Sequence, residues 1–412
     1  MGNKLFTKDF TLVVIGQIIS LFGNAAIRFA LPLYLLNQTG SSVLYGTVMA
    51  CAFIPAILLS PVGGLVADRV NKRNVMVILD FCTAGLILIF MLLMNYVNLV
   101  FLLALTLMGL YGIVGAYQPT VQASVPMLVE KEHFVRANAV INIISSFSSL
   151  LGPVLSGILY SNYGLLLVLV ICAVSFVLSA VMELFIRIPY QRQERNGSIL
   201  QIVRRDMEES IRFIRKDKPI IGKGLSVVCG INMFLSAMIV VALPYLITEV
   251  LPFSAVQANK LYGYAQGALA AGGIAGGICA GILADRLHIK RASNLLIFGS
   301  IGIIPIGLAL CWSDSSIAIY WTITICCLVI SLVSTVFTVQ MMSFVQAETP
   351  QNLIGKVMAV IMTGAMCAQP FGSAMYGFLF EICVGHEASV VFFSSAVSLF
   401  IAVKTRKVFI EL

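Results

Sequence analysis

Four polar residues near the start of the chain recur at helical spacing within an apolar run. Gln17, Ser20, Asn24 and Arg28 are separated by three, four and four residues, which places them on one face of a helix. A guanidinium group beside amide and hydroxyl groups can bind the polar or anionic part of an organic molecule. We interpret this face as a substrate-contacting surface. The alternative is that Arg28 pairs with a polar neighbouring helix and has a structural role.

Carboxyl groups within apolar segments are the second set of residues that could do chemistry, because they can bind and release protons. Asp80 lies well inside an apolar segment, whereas Glu183, Glu249 and Glu381 lie closer to segment ends. Two interpretations of Asp80 stay open, namely a structural role and proton carriage. Both place it near Asp68–Arg69, in the loop that follows the second apolar segment.

The amino-acid composition predicts what kind of secondary structure positions these residues. Of the 412 residues, 59% are hydrophobic and 11% are charged, whereas soluble domains carry roughly a quarter charged residues. The apolar residues form runs of about 20, the length that crosses the hydrocarbon core of a bilayer. Backbone groups in lipid need partners within their own segment, so these runs must be helices. An unpaired Arg facing lipid is costly, so the Arg28 face should line a central cavity.

We therefore predict an all-α membrane protein with twelve transmembrane helices. The predicted spans lie near 10–36, 43–67, 74–95, 97–118, 136–160, 164–188, 220–249, 259–284, 291–311, 315–342, 354–380 and 388–404. With the loops assigned alternately to the two sides, all of the 26 Lys and Arg residues except Arg28 and Lys260 fall on one side. This asymmetry predicts a multi-pass protein of the cell membrane with both termini in the cytoplasm. It also explains the basic net charge without a nucleic-acid partner.

The two halves of the chain repeat each other. Leu44–Gly46 recurs as Leu261–Gly263, and Gly64–Arg69 recurs as Gly281–Arg286 with the same offset. Parallel repeats of this kind indicate two pseudo-symmetric six-helix bundles with a binding site between them near the midplane of the membrane. We predict an N-terminal bundle over 1–190, a cytoplasmic linker with an amphipathic helix over 191–219, and a C-terminal bundle over 220–412.

The loop after the second span carries Gly and Asp at a fixed spacing, followed by basic residues, and a partial copy follows the eighth span. The residues are Gly64, Asp68, Arg69, Lys72 and Arg73, with Gly281, Asp285 and Arg286 in the copy. This pattern resembles the signature loop of the major facilitator superfamily. The resemblance implies that Asp68 accepts hydrogen bonds from a neighbouring helix N-terminus or Arg and latches a cytoplasmic gate. The alternative is that the basic residues serve only membrane topology.

The fifth span carries small residues at four-residue spacing around a proline. They are Ser148, Gly152, Pro153, Ser156 and Gly157. This segment is similar to the antiporter motif of export-type members of the superfamily. We predict that its small residues let the helix pack tightly against the other half, and that the proline bends it. Ordinary close packing is the alternative.

The positions of Pro32, Thr39–Ser41 and Pro119–Pro126 resemble the macrolide-efflux and siderophore-exporter branch of the superfamily. This resemblance covers most of the chain and implies export of a drug-like or secondary-metabolite molecule. Further polar residues within spans are weaker candidates for the substrate cavity. They are Asn142, Asn232, Gln266 and Thr335.

The prediction is a secondary active transporter that works by alternating access on a small organic substrate. We expect protons as the coupling ion, a lipid bilayer as the surroundings and a monomer as the working form. The sequence has no nucleophile–base pair, metal constellation or nucleotide-binding loop, so we predict no enzymatic activity and no cofactor. An importer or lipid flippase on the same fold, and a non-transporting receptor or scaffold, are the alternatives.

Overall fold

The computed structural model describes residues 7–130, 133–188, 199–282, 292–350 and 353–410. Over these ranges the chain is helical, without strands. The first helices are α1 (Lys8–Thr39), α2 (Ser42–Arg69), α3 (Lys72–Leu93), α4 (Leu99–Leu128), α5 (Phe134–Tyr163) and α6 (Leu165–Leu184). Asn71 and Asn98 cap the N-terminal ends of α3 and α4, because each side chain accepts a hydrogen bond from a backbone N–H of the first turn.

The later helices are interrupted more often. They are α7 (Ile199–Arg212), α8 (Pro219–Ile231), α9 (Ala237–Tyr245), α10 (Ala255–Ile282), α11 (Ala292–Ile301), α12 (Ile304–Trp312), α13 (Ser316–Glu348), α14 (Ile354–Ile382) and α15 (Glu387–Ile410). Three π-helical segments adjoin them, at Phe213–Asp217, Asn232–Ser236 and Leu246–Val250.

Within the described residues, twelve helical stretches are long and apolar enough to cross a membrane. Six precede α7 and six follow it, and the stretch Pro219–Val250 joins α8 and α9 through π-helical turns. These stretches confirm the predicted all-α fold with twelve spans. The protein is therefore a multi-pass membrane protein.

The chain divides into two compact units. The first unit comprises Met1–Leu35 and Cys51–Gln201, and the second comprises Leu36–Ala50 and Ile202–Leu412. The end of α1 and the beginning of α2 therefore pack within the second unit, although they precede most of the first unit in sequence.

In the first unit, α3 packs against α4 and α6, and α1 approaches α6 through glycines. A Cβ atom on Gly16 would lie 3.5 Å from the Ser179 hydroxyl, and one on Gly23 would lie 3.3 Å from the Phe176 ring. The buried Ser179 hydroxyl donates to the Gly16 carbonyl across this contact (3.1 Å). Small residues thus hold α1 against α6, as in other close helix pairs in membranes.

In the second unit, irregular turns free backbone carbonyls for partners on other helices. The π-helical turn Asn232–Ser236 leaves the Phe234 carbonyl to accept from the Tyr376 hydroxyl (2.8 Å) and the Ser394 hydroxyl (2.6 Å). Pro244 has no N–H for the carbonyl four residues earlier, at Val240, which accepts from the Tyr45 hydroxyl instead (3.4 Å).

The predicted amphipathic linker helix is present as α7 and its π-helical continuation. Phe213 and Ile214 at its end are buried, and Ile214 contacts Gly222 at the start of the next span. Two ion pairs, Lys356–Glu209 (2.8 Å) and Lys218–Glu348, join the segment to α14 and α13. The linker segment from residue 202 onward is thereby held in the second unit.

Candidate functional site

The polar face of α1 begins with two residues that lie in the interior of the first unit. Gln17 and Ser20 are both 0% exposed. The Gln17 amide Nε2 donates to the Tyr117 hydroxyl on α4 (2.8 Å), and the Ser20 hydroxyl donates to Oδ1 of Asp80 on α3 (3.1 Å). One turn of α1 therefore connects two other helices through hydrogen bonds.

The Tyr117 hydroxyl extends this network to a second carboxyl group. It donates to Oε1 of Glu183 on α6 (2.8 Å), and Glu183 also packs against Gly16 of α1. Asp80 is 2% exposed and Glu183 is 0% exposed. The first unit thus buries two carboxyl groups, one tyrosine, one amide and one serine in a network that joins α1, α3, α4 and α6.

Further along the same face, Arg28 lies over an aromatic ring. Its guanidinium carbon is 3.9 Å from the centroid of the Tyr111 ring on α4, which is a cation–π contact. The Phe53 ring meets Tyr111 edge-on, with centroids 5.1 Å apart. Arg28 has no carboxylate within ion-pair distance in the part of the chain that the structure describes. Asn24, one turn earlier, keeps a buried amide oxygen that none of the described residues satisfies.

The other predicted cavity residues lie on other helices. On α5, Asn142 is exposed. Asn232 donates to the Ala365 carbonyl (3.0 Å), and Gln266 donates to the Tyr262 hydroxyl (3.0 Å). Thr335 donates to the Ser331 carbonyl (2.9 Å), and its Cβ would lie 2.9 Å from a Cβ on Gly276. The substrate-contacting role of these four residues stays a prediction.

The signature motif is described in part. Gly64, Asp68 and Arg69 lie in the last turns of α2, and Lys72 and Arg73 begin α3. The Arg73 guanidinium donates to the side chain of its neighbour Asn74 (2.9 Å). In the copy, Gly281 lies on α10, whereas Asp285 and Arg286 lie outside the described residues. The gating role of the motif stays a prediction.

Two small residues of the fifth span approach α1 of the same unit, and packing of this helix against the other half stays a prediction. A Cβ on Gly152 would lie 2.4 Å from the Ala25 Cβ, and the Ser156 hydroxyl donates to the Ala26 carbonyl (2.9 Å). Both contacts are with α1 of the same unit, because the small residues open a groove that α1 fills. Ser148 and Gly157 are also buried, and Pro153 lies inside the helix.

Tyr117 and Glu183 are members of the network that the sequence analysis did not select. Glu183 lies near the end of the predicted span 164–188, whereas Asp80 lies well inside its own predicted span. An acid in the most apolar stretch of the first unit, Leu165–Leu184, is the signal that could have identified it. Tyr117 carries no comparable signal, because tyrosines are common near the ends of membrane spans. In the described ranges, no three His, Cys, Asp or Glu residues form a metal-binding group.

Twelve apolar helices and polar residues buried along one of them are features of a polytopic membrane transporter. The family model of the Major Facilitator Superfamily matches residues 13–373, and the chain belongs to this superfamily. Members are transporters, so the chain is a transport protein and not an enzyme.

Similar proteins include two exporters. The chain is 24% identical to macrolide efflux protein A of Streptococcus pyogenes over 210 residues, which cover 51% of this chain and 52% of that protein. It is 24% identical to the enterobactin exporter EntS of Salmonella choleraesuis over 382 residues, which cover 89% of this chain and 84% of that protein. The macrolide efflux match thus spans about half the length of that relative.

A solved structure supports the fold. The crystal structure of the nucleoside transporter NupG matches with a TM-score of 0.77 at 14% identity, covering 98% of this chain and 99% of that chain. At 14% identity, this structural similarity supports the fold and says nothing about the function.

Proposed function

We propose that the protein exports an amphipathic organic molecule, of a drug-like or secondary-metabolite kind, by alternating access driven by the proton gradient. The observation that carries the proposal is Arg28, a cation within a membrane span that lies over Tyr111 and lacks a carboxylate among the described residues. Arg28 is eleven residues before the end of α1, about 16 Å at roughly 1.5 Å per residue. A cation at that depth needs a partner, and an anionic or polar substrate group would supply one.

The aromatic surroundings of Arg28 suit the other part of such a molecule. Tyr111 and Phe53 present ring surfaces next to the guanidinium group. A substrate with an apolar body and a polar group could contact both, as binding sites for organic molecules commonly combine apolar walls with few polar groups. The names of the relatives, a macrolide efflux protein and an enterobactin exporter, support export of a bulky organic compound.

The mechanism we propose uses the motifs found in the sequence. The Asp68 latch would close the cytoplasmic side, with α2 ending at Arg69 and Asn71 fixing the start of α3. The distribution of basic residues supports cytoplasmic termini. We expect the protein to act as a monomer.

The test of the proposed function is accumulation of macrolides, dyes and siderophore-like catechols in cells with and without the protein, each with and without a protonophore. We expect lower accumulation of some compounds in cells that contain the protein, and recovery when the proton gradient is collapsed. Higher accumulation would show import instead. No change for any compound would contradict the efflux proposal and favour lipid translocation or a receptor role.

Arg28→Ala should selectively reduce export of the compounds that carry an acidic group. A hydrogen bond to a charged group contributes about 1.5–3 kcal/mol, so the apparent affinity should fall roughly 10- to 100-fold. Arg28→Lys keeps the charge but loses the planar fork, and should give an intermediate value. Concentration-dependent export by the three proteins at matched membrane levels measures this. Equal affinities in all three would contradict a contact between Arg28 and substrate.

A further inference from the structure

Two carboxyl groups share one buried network although they belong to different helices. Asp80 on α3 accepts from Ser20, and Glu183 on α6 accepts from Tyr117, which in turn accepts from Gln17. Ser20 and Gln17 lie one turn apart on α1. Both acids are joined to this turn of α1 through hydrogen bonds, so they belong to a single site.

The network contains more hydrogen-bond acceptors than donors. Oδ2 of Asp80, Oε2 of Glu183 and Oε1 of Gln17 are all buried, and none has a hydrogen-bond partner among the described residues. The Tyr117 hydroxyl has one hydrogen, which Glu183 accepts. The hydroxyl of Ser179, which also faces Asp80, donates its hydrogen to the Gly16 carbonyl. Three oxygens in one buried site therefore lack a donor.

Basic groups are remote from these oxygens in the described part of the chain. On α3 the nearest in sequence is Arg73, seven residues before Asp80, or about 10 Å at roughly 1.5 Å per residue, and its guanidinium donates to Asn74. Lys72 lies one residue further away. On α1, Arg28 lies eight residues beyond Ser20 and contacts Tyr111. Past the end of α6, Arg187 is exposed and its backbone N–H binds Asp9. On α4, Tyr117 is the titratable group that faces the pair.

An unpaired buried carboxylate is costly, and two close together are more so, because each lacks solvation and they repel each other. A proton on one carboxyl removes one charge and supplies one of the missing donors. A small cation such as Na⁺ could also lie between three oxygens, but it prefers more oxygen ligands than three. The donor deficit and the absence of a neighbouring base therefore favour a proton as the occupant.

We propose that Asp80 and Glu183 together form the proton-binding site of the transporter, with Gln17, Ser20 and Tyr117 as its positioning residues. This inference rests on the proposed proton-driven transport and names its coupling site. The step is reversible proton binding: a proton joins one carboxylate oxygen on one side of the membrane and leaves it on the other. No other bond forms or breaks.

Helix α1 supplies the physical connection between this site and Arg28. Gln17, Ser20 and Arg28 lie on one helical face, and Gly16 and Gly23 seat that helix against α6. A displacement of α1 on substrate binding at Arg28 would move Gln17 and Ser20 relative to Tyr117 and Asp80. Breaking their hydrogen bonds changes the number of donors available to the carboxylates, and thereby their affinity for the proton.

Infrared difference spectroscopy of the purified full-length protein during a pH titration tests the site without any substrate. We expect a protonated-carboxyl C=O band in the wild type. Asp80→Asn and Glu183→Gln should each lower the band at least twofold, and the double variant should abolish it. Asp314→Asn, which changes an exposed acid between α12 and α13, should leave it unchanged. Thermal unfolding of each variant shows whether it is folded.

A band that persists in the folded double variant would overturn the proposal, as would the absence of a band in the wild type. A band that disappears when NaCl replaces choline chloride at constant ionic strength would show that the site holds sodium, and would also overturn it. Because these measurements need no transported compound, their outcome is independent of the accumulation assay. Failure of that assay alone would contradict the proposed function while leaving a proton-binding site in place.

Discussion

Replacing Gly272 with Val should markedly destabilise the second unit. A Cβ at this position would lie 2.2 Å from the Leu328 carbonyl oxygen on α13, and a backbone atom cannot rotate away. Overpacking costs about 1–3 kcal/mol and occasionally more, and the upper end applies here, so the apparent Tm should fall by roughly 6–12 °C. Thermal unfolding of the purified protein in detergent measures the change.

Gly277→Val is the matched control for this prediction. It lies on the same helix, α10, but a Cβ there meets no atom within 4 Å. Both substitutions introduce the same β-branched side chain into the same span. Gly277→Val should therefore stay near the wild-type Tm, and equal Tm values for the two variants would show that α10 does not pack closely on α13.

The close contact of α10 and α13 shows which features of helix packing can be predicted from the sequence and which cannot. Glycines recur four residues apart in α10, at Gly272 and Gly276, and such spacing indicates that another helix approaches closely. It does not identify that helix. The partner, α13, begins more than thirty residues after α10 ends, and its Leu328 and Leu332 carbonyls lie at the two glycines.

The same distinction explains the outcome for Gly152 and Ser156. Their small size predicted tight packing, and the helix that they approach is α1 of the same unit. Spans and repeats could be predicted because length and hydropathy are properties of one segment. The partner of a helix face depends on how several segments pack together, and one sequence carries little information about it.

The buried network shows this limit at the candidate site. The spacing of Gln17 and Ser20 placed them on one helical face, which the structure retains. Their partners Asp80 and Tyr117 lie 60 and 100 residues further along the chain. Glu183 joins them because α6 packs against both α1 and α3. An amphipathic face alone could not distinguish a buried network from the wall of a cavity.

Gly46→Val should prevent the beginning of α2 from closing onto α14. A Cβ on Gly46 would lie 2.4 Å from the Ser373 carbonyl oxygen and 2.9 Å from the Gly377 Cα atom. Beside these glycines, the Ser42 hydroxyl donates to the Gly377 carbonyl (2.9 Å). These residues belong to the second unit, and we propose that their contact forms the closed outer gate. Because the Val side chain has no space, this closed arrangement should lose most of its population.

Labelling of a cysteine at position 42 measures the opening directly. Ser42 is 0% exposed, so Ser42→Cys should react slowly with a membrane-impermeant maleimide in a Cys311→Ser/Cys383→Ser background. Adding Gly46→Val should raise the labelling rate roughly tenfold or more, since a destabilisation of about 1.4 kcal/mol already changes an equilibrium tenfold. Transport should fall by a similar factor, because the alternating access that we propose needs both gates to close in turn.

Gly85→Val provides the comparison for Gly46→Val. Gly85 lies within α3, and a Cβ there meets no atom within 4 Å. This variant should label and transport like the wild type, which separates the effect of a blocked contact from that of a valine within a membrane helix. If Gly46→Val also labels slowly, the contact of α2 with α14 does not control access to residue 42. If it labels fast but transports normally, the contact is not a gate that transport requires.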